Sequence, residues 1–186
     1  MADAERWKEL SSTPIYENPW GKLISLKVEL TDGTIIPDYV IWRFSDGVMI
    51  AGFTPEDELV LVQQYRLGPD DLVVELPAGS VDKKDVSEAA KSELKEEVGG
   101  IAEKLEHLGN FYVLPSRTST KTYAFLAENL QLEDEQDLDV HEDWIRITKV
   151  PLEKLHKFIL EGGINDAQSL ATIFLALLKR GNIKIE

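Results

Sequence analysis

Val86-Ser87-Glu88-Ala89-Ala90-Lys91-Ser92-Glu93-Leu94-Lys95-Glu96-Glu97-Val98, followed by Gly99-Gly100, has the marks of one capped, acidic helix. Asp85, with Glu88 three residues later, resembles a capping box, and the glycine pair supplies a stop, so the spacing predicts a helix over 86–98. On a wheel of about 100° per residue with Leu94 at zero, Val86, Ala90, Leu94 and Val98 form one apolar stripe. Glu97, Glu93 and Glu96 then fall at roughly −60°, −100° and −160°, so three carboxylates share one arc. Ala89 lies inside that arc, while Lys91, Lys95 and Glu88 point away from it. Like charges at these spacings destabilise an isolated helix, and the lysines are withheld from them. Either the arc is a solvated face, because Glu is a good helix former, or it holds a hard divalent cation. Mg²⁺ takes carboxylate oxygens, keeps several waters and offers its open positions to substrate phosphates.

Upstream of this helix the chain reads as strands. Lys22–Leu30 alternates, Thr31–Thr34 is a turn, and Ile35–Phe44 runs on to a second turn at Ser45-Asp46-Gly47. Val48–Phe53 and Leu59–Tyr65 are apolar runs divided by a polar turn, and Leu72–Leu76 is a short strand ended by Pro77-Ala78-Gly79. Downstream, Leu105–Val113, Thr122–Ala127 and Trp144–Val150 are strand-like, and helices are expected over Leu152–Leu160 and Ala167–Lys179, with Phe174, Leu177 and Leu178 in the core. Between them, Glu128–Asp143 carries eight carboxylates and no Lys or Arg. One mixed α/β domain accounts for this order.

The 186 residues fit that single domain, with residues 1–44 as an N-terminal β extension and 45–186 as its body. An acid excess of 34 against 20 Lys and Arg gives a net charge of −14, which repels nucleic acid and anionic membrane. A small anion remains acceptable where divalent cations stand between it and the carboxylates. The absence of cysteine excludes a disulfide scaffold, a thiolate nucleophile and Cys-ligated metal. The first residues lack the apolar core of a signal peptide, so a cytoplasmic protein is expected.

Gly79 to Ile101, above all Glu93-Leu94-Lys95-Glu96-Glu97-Val98-Gly99, resembles the box of the Nudix hydrolases, a loop-helix-loop motif of enzymes that cleave nucleoside diphosphates linked to another group. Glu75-Leu76-Pro77-Ala78-Gly79 and Gln64-Tyr65-Arg66 look like the ADP-ribose pyrophosphatase branch, as does the helix start Asp166-Ala167-Gln168-Ser169-Leu170. The similarity in layout runs from Tyr16 to Leu178. It implies a Nudix fold, a mixed sheet sandwiched between helices, and a Mg²⁺-dependent hydrolase, with Mn²⁺ as an alternative. The implied substrate is ADP-ribose or a related ADP-sugar; another nucleoside diphosphate sugar such as GDP-mannose, or binding without catalysis, is the alternative. A homodimer with exchanged N-terminal strands is also implied. The chain departs from the box in three places. Ser92 stands where Arg is usual, the segment from Gly79 to Glu93 is one residue short so that the early Glu is lost or represented by Asp85, and Gly100 replaces an aliphatic residue.

Carried over by position, Glu93 and Glu97 are the expected principal metal ligands. The Ala78 carbonyl completes the site, and Glu96 binds a further ion or orients water. The resemblance places the general base in the acidic loop, with Glu142 chosen, Asp143 as alternate and His141 as a third candidate by pKa. Arg66 is either a donor to a phosphate or an exposed strand-end cation. Glu75 orients Arg66, contacts the nucleotide or forms a structural ion pair. Ser116 and Arg117 occupy a loop where the branch often carries a Ser-Pro-Gly-like segment, and they are candidates for recognising the terminal ribose. Tyr16, Trp20 and Tyr39 either stack on a base or pack.

Overall fold

The computed structural model describes residues 6–81, 85–132, 135–138 and 144–184. The chain forms two compact units, one of residues 6–45 with Tyr112–Lys121 and the other of Asp46–Phe111 with the residues from Thr122 onward. The first contains three antiparallel strands in the order β1 (Lys8–Asn18), β2 (Gly21–Glu29) and β3 (Ile35–Arg43). In β2 the alternate residues Ile24, Leu26 and Val28 are buried, and Ile36, Tyr39 and Ile41 of β3 pack against them. This is the period of two expected of a half-buried strand. The turn between β2 and β3 places Gly33 at φ +84°, and Leu30 N–H closes it on the Thr34 carbonyl at 2.8 Å. Strand β1 lies within the expected 1–44 extension, but its own span has no mark in the sequence. Nearly every one of its side chains is exposed, so it has no buried face to impose alternation on its sequence.

In the second unit β4 (Gly47–Phe53), β5 (Glu58–Arg66), β9 (Lys121–Leu132), β8 (Gly100–Tyr112) and β10 (Arg146–Pro151) form a sheet in the order β10-β5-β4-β9-β8. β6 (Asp71–Glu75) pairs with β5, and β7 (Ala78–Ser80) with β4. The β4–β9 pairing is parallel, and β5 runs antiparallel to β4, β6 and β10. Both faces of the sheet are covered, which is why its central strands are continuous apolar runs. On one face Val48, Ile50, Val60, Val62, Phe125 and Ala127 meet Ala89, Ala90, Leu94 and Val98 of α1 (Val86–Val98). On the other, Met49, Ala51, Phe53, Leu59, Leu61 and Leu126 meet Leu155 of α2 (Leu152–Leu160) and Ile173 and Ala176 of α3 (Ala167–Arg180). The fold is therefore a mixed α/β Nudix fold with an N-terminal antiparallel β extension. Burial of a side chain such as Leu94 contributes about 1.5–3 kcal/mol.

Helix α1 begins where Asp85 accepts the Ser87 N–H at 2.9 Å. It ends at Gly99, whose φ of +59° a side chain would disfavour. Two expectations are corrected. Phe174 is 46% exposed and Leu178 is half-buried, because α3 turns Ile173 and Ala176 inward instead, whereas Leu177, half-buried, packs against that core as expected. The first part of the acidic stretch, up to Leu132, continues β9 and buries Leu130 completely enough to join the α1 core. Among the described residues no helix is long and apolar enough to cross a membrane.

Candidate active site

Three of the four expected metal-site residues converge where α1 lies against β7. The wheel placed Glu97 on the edge of the apolar stripe, and the packed helix buries it to 1% exposure. Its Oε2 accepts the Ala78 N–H at 2.9 Å. Next to Ala78, Gly79 has no side chain, and the carboxylate of Glu93 fills that volume: a Cβ on Gly79 would overlap the Glu93 carboxyl carbon and both its oxygens. The Pro-Ala-Gly turn thus serves two carboxylates, donating to one and making room for the other. Ala89, in the same arc, is fully buried with Glu97, while Glu93 and Glu96 are half-buried, so the acidic sector borders the protein on one side and solvent on the other.

Glu96 stands one turn after Ser92 and accepts its hydroxyl through Oε1 at 2.5 Å. The end of the helix is held from outside. Gln136 Nε2 donates to the Glu97 carbonyl at 2.5 Å, and the Asp137 N–H donates to the Glu96 carbonyl at 2.9 Å. The acidic segment is thereby tied to the helix terminus that carries both glutamates, satisfying two carbonyls that a helix end otherwise leaves open. Sequence reasoning passed over Gln136; its one signal was an amide among carboxylates. Glu142, Asp143 and His141 lie outside the described residues.

Arg66 closes β5 and Glu75 closes β6, and their side chains meet: Nε and Nη2 of Arg66 both donate to Glu75 Oε1 at 2.8 Å. Glu75 is 7% exposed, and burial pushes its carboxyl above the ordinary range, with the Arg66 guanidinium pulling the other way. Asp166 adds a second negative charge nearby that also raises it. Asp166 itself caps α3, accepting both the N–H and the hydroxyl of Ser169 at 2.7 Å, and Ser169 Oγ in turn accepts the Leu76 N–H at 2.9 Å. The helix start singled out in the sequence therefore anchors the strand that leads into Pro77-Ala78-Gly79.

In the first unit a cavity of about 410 Å³ is lined by Tyr39, Ile41, Arg43, Tyr112, Ser116 and Arg117, among others. Tyr39, Ser116 and Arg117, widely separated in sequence, come together there. The Tyr39 hydroxyl donates to the Ser116 carbonyl, and the Arg117 guanidinium lies 5.0 Å from the Tyr39 ring centroid, a cation–π contact. Arg117 also donates to the Val40 carbonyl at 3.2 Å. Trp20 is not among the lining residues; it is 67% exposed at the β1–β2 turn, where Asn18 Oδ1 accepts its N–H at 3.0 Å. Tyr16 is exposed on β1.

Among the described residues no group of three or more Asp, Glu, His or Cys side chains forms a ready-made metal cage. The donors at β7 and α1 nevertheless suit Mg²⁺ chemically. They are hard carboxylate oxygens beside backbone, and Mg²⁺ is usually held by one or two carboxylates with waters and substrate phosphates completing its shell.

Residues 43–166 match the NUDIX domain family, and residues 7–41 match the nucleoside diphosphate sugar hydrolase N-terminal domain. The chain is 31% identical over 164 residues to the ADP-ribose pyrophosphatase of Bacillus subtilis (strain 168), a match covering 86% of this chain and 88% of that protein. It is 30% identical over 135 residues to the ADP compounds hydrolase NudE of Escherichia coli (strain K12), covering 70% and 69% respectively. A crystal structure of an ADP compounds hydrolase has the same fold, with a TM-score of 0.81 at 24% identity over 96% of this chain and 98% of that one.

Proposed function

The chain belongs to the Nudix family, in its ADP-ribose and nucleoside diphosphate sugar pyrophosphatase branch, and from that premise we propose that it hydrolyses ADP-ribose or a related ADP-sugar to AMP and a sugar phosphate. The observation that carries this reading is the meeting of Glu93 and Glu97 with the Ala78-Gly79 turn, because it gathers the box carboxylates at one place. Glu93, Glu97 and the Ala78 carbonyl would hold Mg²⁺, or Mn²⁺ in its place, and Glu96 would serve a further ion or orient water. What a bound cation supplies there is neutralisation of the pyrophosphate charge and a more acidic water. Glu142, or Asp143 in its stead, takes the proton as water attacks one phosphorus; the bond from that phosphorus to the bridging oxygen breaks, and the other phosphate departs with its own half of the substrate.

Arg66, oriented by Glu75, is the proposed phosphate donor; Tyr39 and Trp20 are the proposed base-stacking residues, and Ser116 and Arg117 contact the terminal ribose. The 1–44 extension is the proposed dimerisation element, with Leu10, Ile15 and Tyr16 of β1 exposed as contact surface. The protein is cytoplasmic in this reading, with neither nucleic acid nor membrane as partner, in keeping with its charge of −14.

The test is a panel of nucleoside diphosphate sugars, each with Mg²⁺ or Mn²⁺, in which AMP, GMP and sugar phosphate products are followed. Cleavage of ADP-ribose ahead of the others is the expected result. Preferential cleavage of GDP-mannose reassigns the substrate, and nucleotide binding without cleavage of any member makes the chain a binding module.

A further inference from the structure

The box resemblance puts Arg at position 92 and an acidic partner near position 85, a pair that braces the loop against the helix. Neither arm is available here. Position 92 is Ser, and Asp85 is committed to capping α1 through the Ser87 N–H at 2.9 Å. The Ser92 hydroxyl instead reaches one turn forward and donates to Glu96 Oε1 at 2.5 Å. On the wheel Ser92 flanks Glu96 on the side away from Glu93 and Glu97, roughly 40° beyond it. A glutamate side chain has three rotatable bonds, and its ordering costs up to about 2 kcal/mol. A hydroxyl that donates to one carboxylate oxygen contributes a charge-assisted bond against that cost and still leaves the carboxylate other acceptor sites.

Resting on the reading of α1 as the metal-carrying helix, we propose that Ser92 is a positioning residue for Glu96. It holds that carboxylate apart from the Glu93–Glu97 pair, so that Glu96 serves a second divalent cation. Glu97 accepts the Ala78 N–H and Glu93 fills the volume left at Gly79, contacts in which Ser92 takes no part.

The experiment is titration of the full chain with Mn²⁺, followed by calorimetry and by electron paramagnetic resonance of free Mn²⁺, in the presence of a non-hydrolysable ADP-ribose analogue. Ser92→Ala is expected to weaken the second ion about tenfold and leave the first unchanged, with an unaltered melting temperature. Ser92→Thr, which keeps the hydroxyl, restores it. Glu96→Gln removes the second ion altogether. If Ser92→Ala binds both ions as the wild type does, or loses the first ion, the positioning role is wrong while the metal helix stands. If the wild type itself binds no Mn²⁺, the metal-helix reading falls and the role of Ser92 falls with it.

Discussion

Arg66, the last residue of β5, and Glu75, the last of the antiparallel β6 and in register with Val62, are joined by two donors on a single oxygen: Nε and Nη2 of the arginine both reach Glu75 Oε1 at 2.8 Å. The carboxylate is buried and the guanidinium about half-exposed, so the pair is asymmetric in what each partner stands to lose. Breaking it from the arginine side leaves a charge stranded in the protein, whereas removal of the carboxylate leaves a cation that solvent reaches.

This asymmetry gives a pH-dependent prediction. The Glu75 carboxyl is raised by burial, so the folded protein holds its proton more tightly than the unfolded chain does. Its ionisation therefore subtracts stability as pH rises from the unfolded carboxyl range to the raised folded value, and the loss is complete above that value. Arg66 opposes the rise, so Arg66→Ala enlarges the loss. The expected cost is about 1–2 kcal/mol near neutral pH, allowing for screening at the half-exposed guanidinium. It should shrink as pH falls through the raised range in which Glu75 regains its proton. Melting temperatures of Arg66→Ala and Arg66→Ala/Glu75→Gln across pH decide it: an equal penalty at both ends would separate the effect from Glu75.

Gly79→Ala should act through Glu93. The added methyl group needs space that the carboxylate occupies, so the expected result is a destabilisation of about 1–3 kcal/mol and a displaced Glu93. In a Glu93→Ala background the same change should cost much less. A double-mutant cycle by denaturant unfolding measures the coupling, and additive costs would show that the overlap is relieved elsewhere.

Gln136→Ala should loosen the hold of the acidic segment on α1, because Nε2 bonds the Glu97 carbonyl at 2.5 Å. The expected cost is about 1 kcal/mol. Hydrogen exchange offers the sharper readout: the Asp137 amide, bonded to the Glu96 carbonyl, should lose protection while the centre of α1 keeps its own.

Tyr39→Ala should remove the ring beneath the Arg117 guanidinium. With the first-unit cavity as a nucleotide contact, KM should rise about tenfold with kcat little changed, the pattern of lost uniform binding. Tyr39→Phe, which loses the hydroxyl bond to the Ser116 carbonyl but keeps the ring, should have a smaller effect. Equal steady-state constants for wild type and Tyr39→Ala would remove this residue from substrate contact.

What could be read from the chain beforehand follows from where burial imposes a pattern. The span of α1 matches its expected bounds because the Asp85 cap, Gly99 and an apolar stripe mark it, that of α2 because Pro151 precedes it and Gly162-Gly163 follow it, and β4 and β5 stand out as runs that both sheet faces require to be apolar. Strand β1 escaped because an exposed ribbon puts no period into its residues. Phe174 misled because α3 is apolar around more of its circumference than it buries. In the candidate site, the arc of Glu93, Glu96 and Glu97 was visible from helix geometry, but the filling of Gly79 by Glu93 and the reach of Gln136 depend on how separate elements pack. No local spacing encodes those contacts.

Because Gly79 lends Glu93 the volume of its own missing side chain, the two positions cannot drift independently. A lineage that admits a larger residue at 79 must shorten or swing away the acid at 93. Its descendants would need two coordinated substitutions to return, so enlargement at position 79 works as a ratchet.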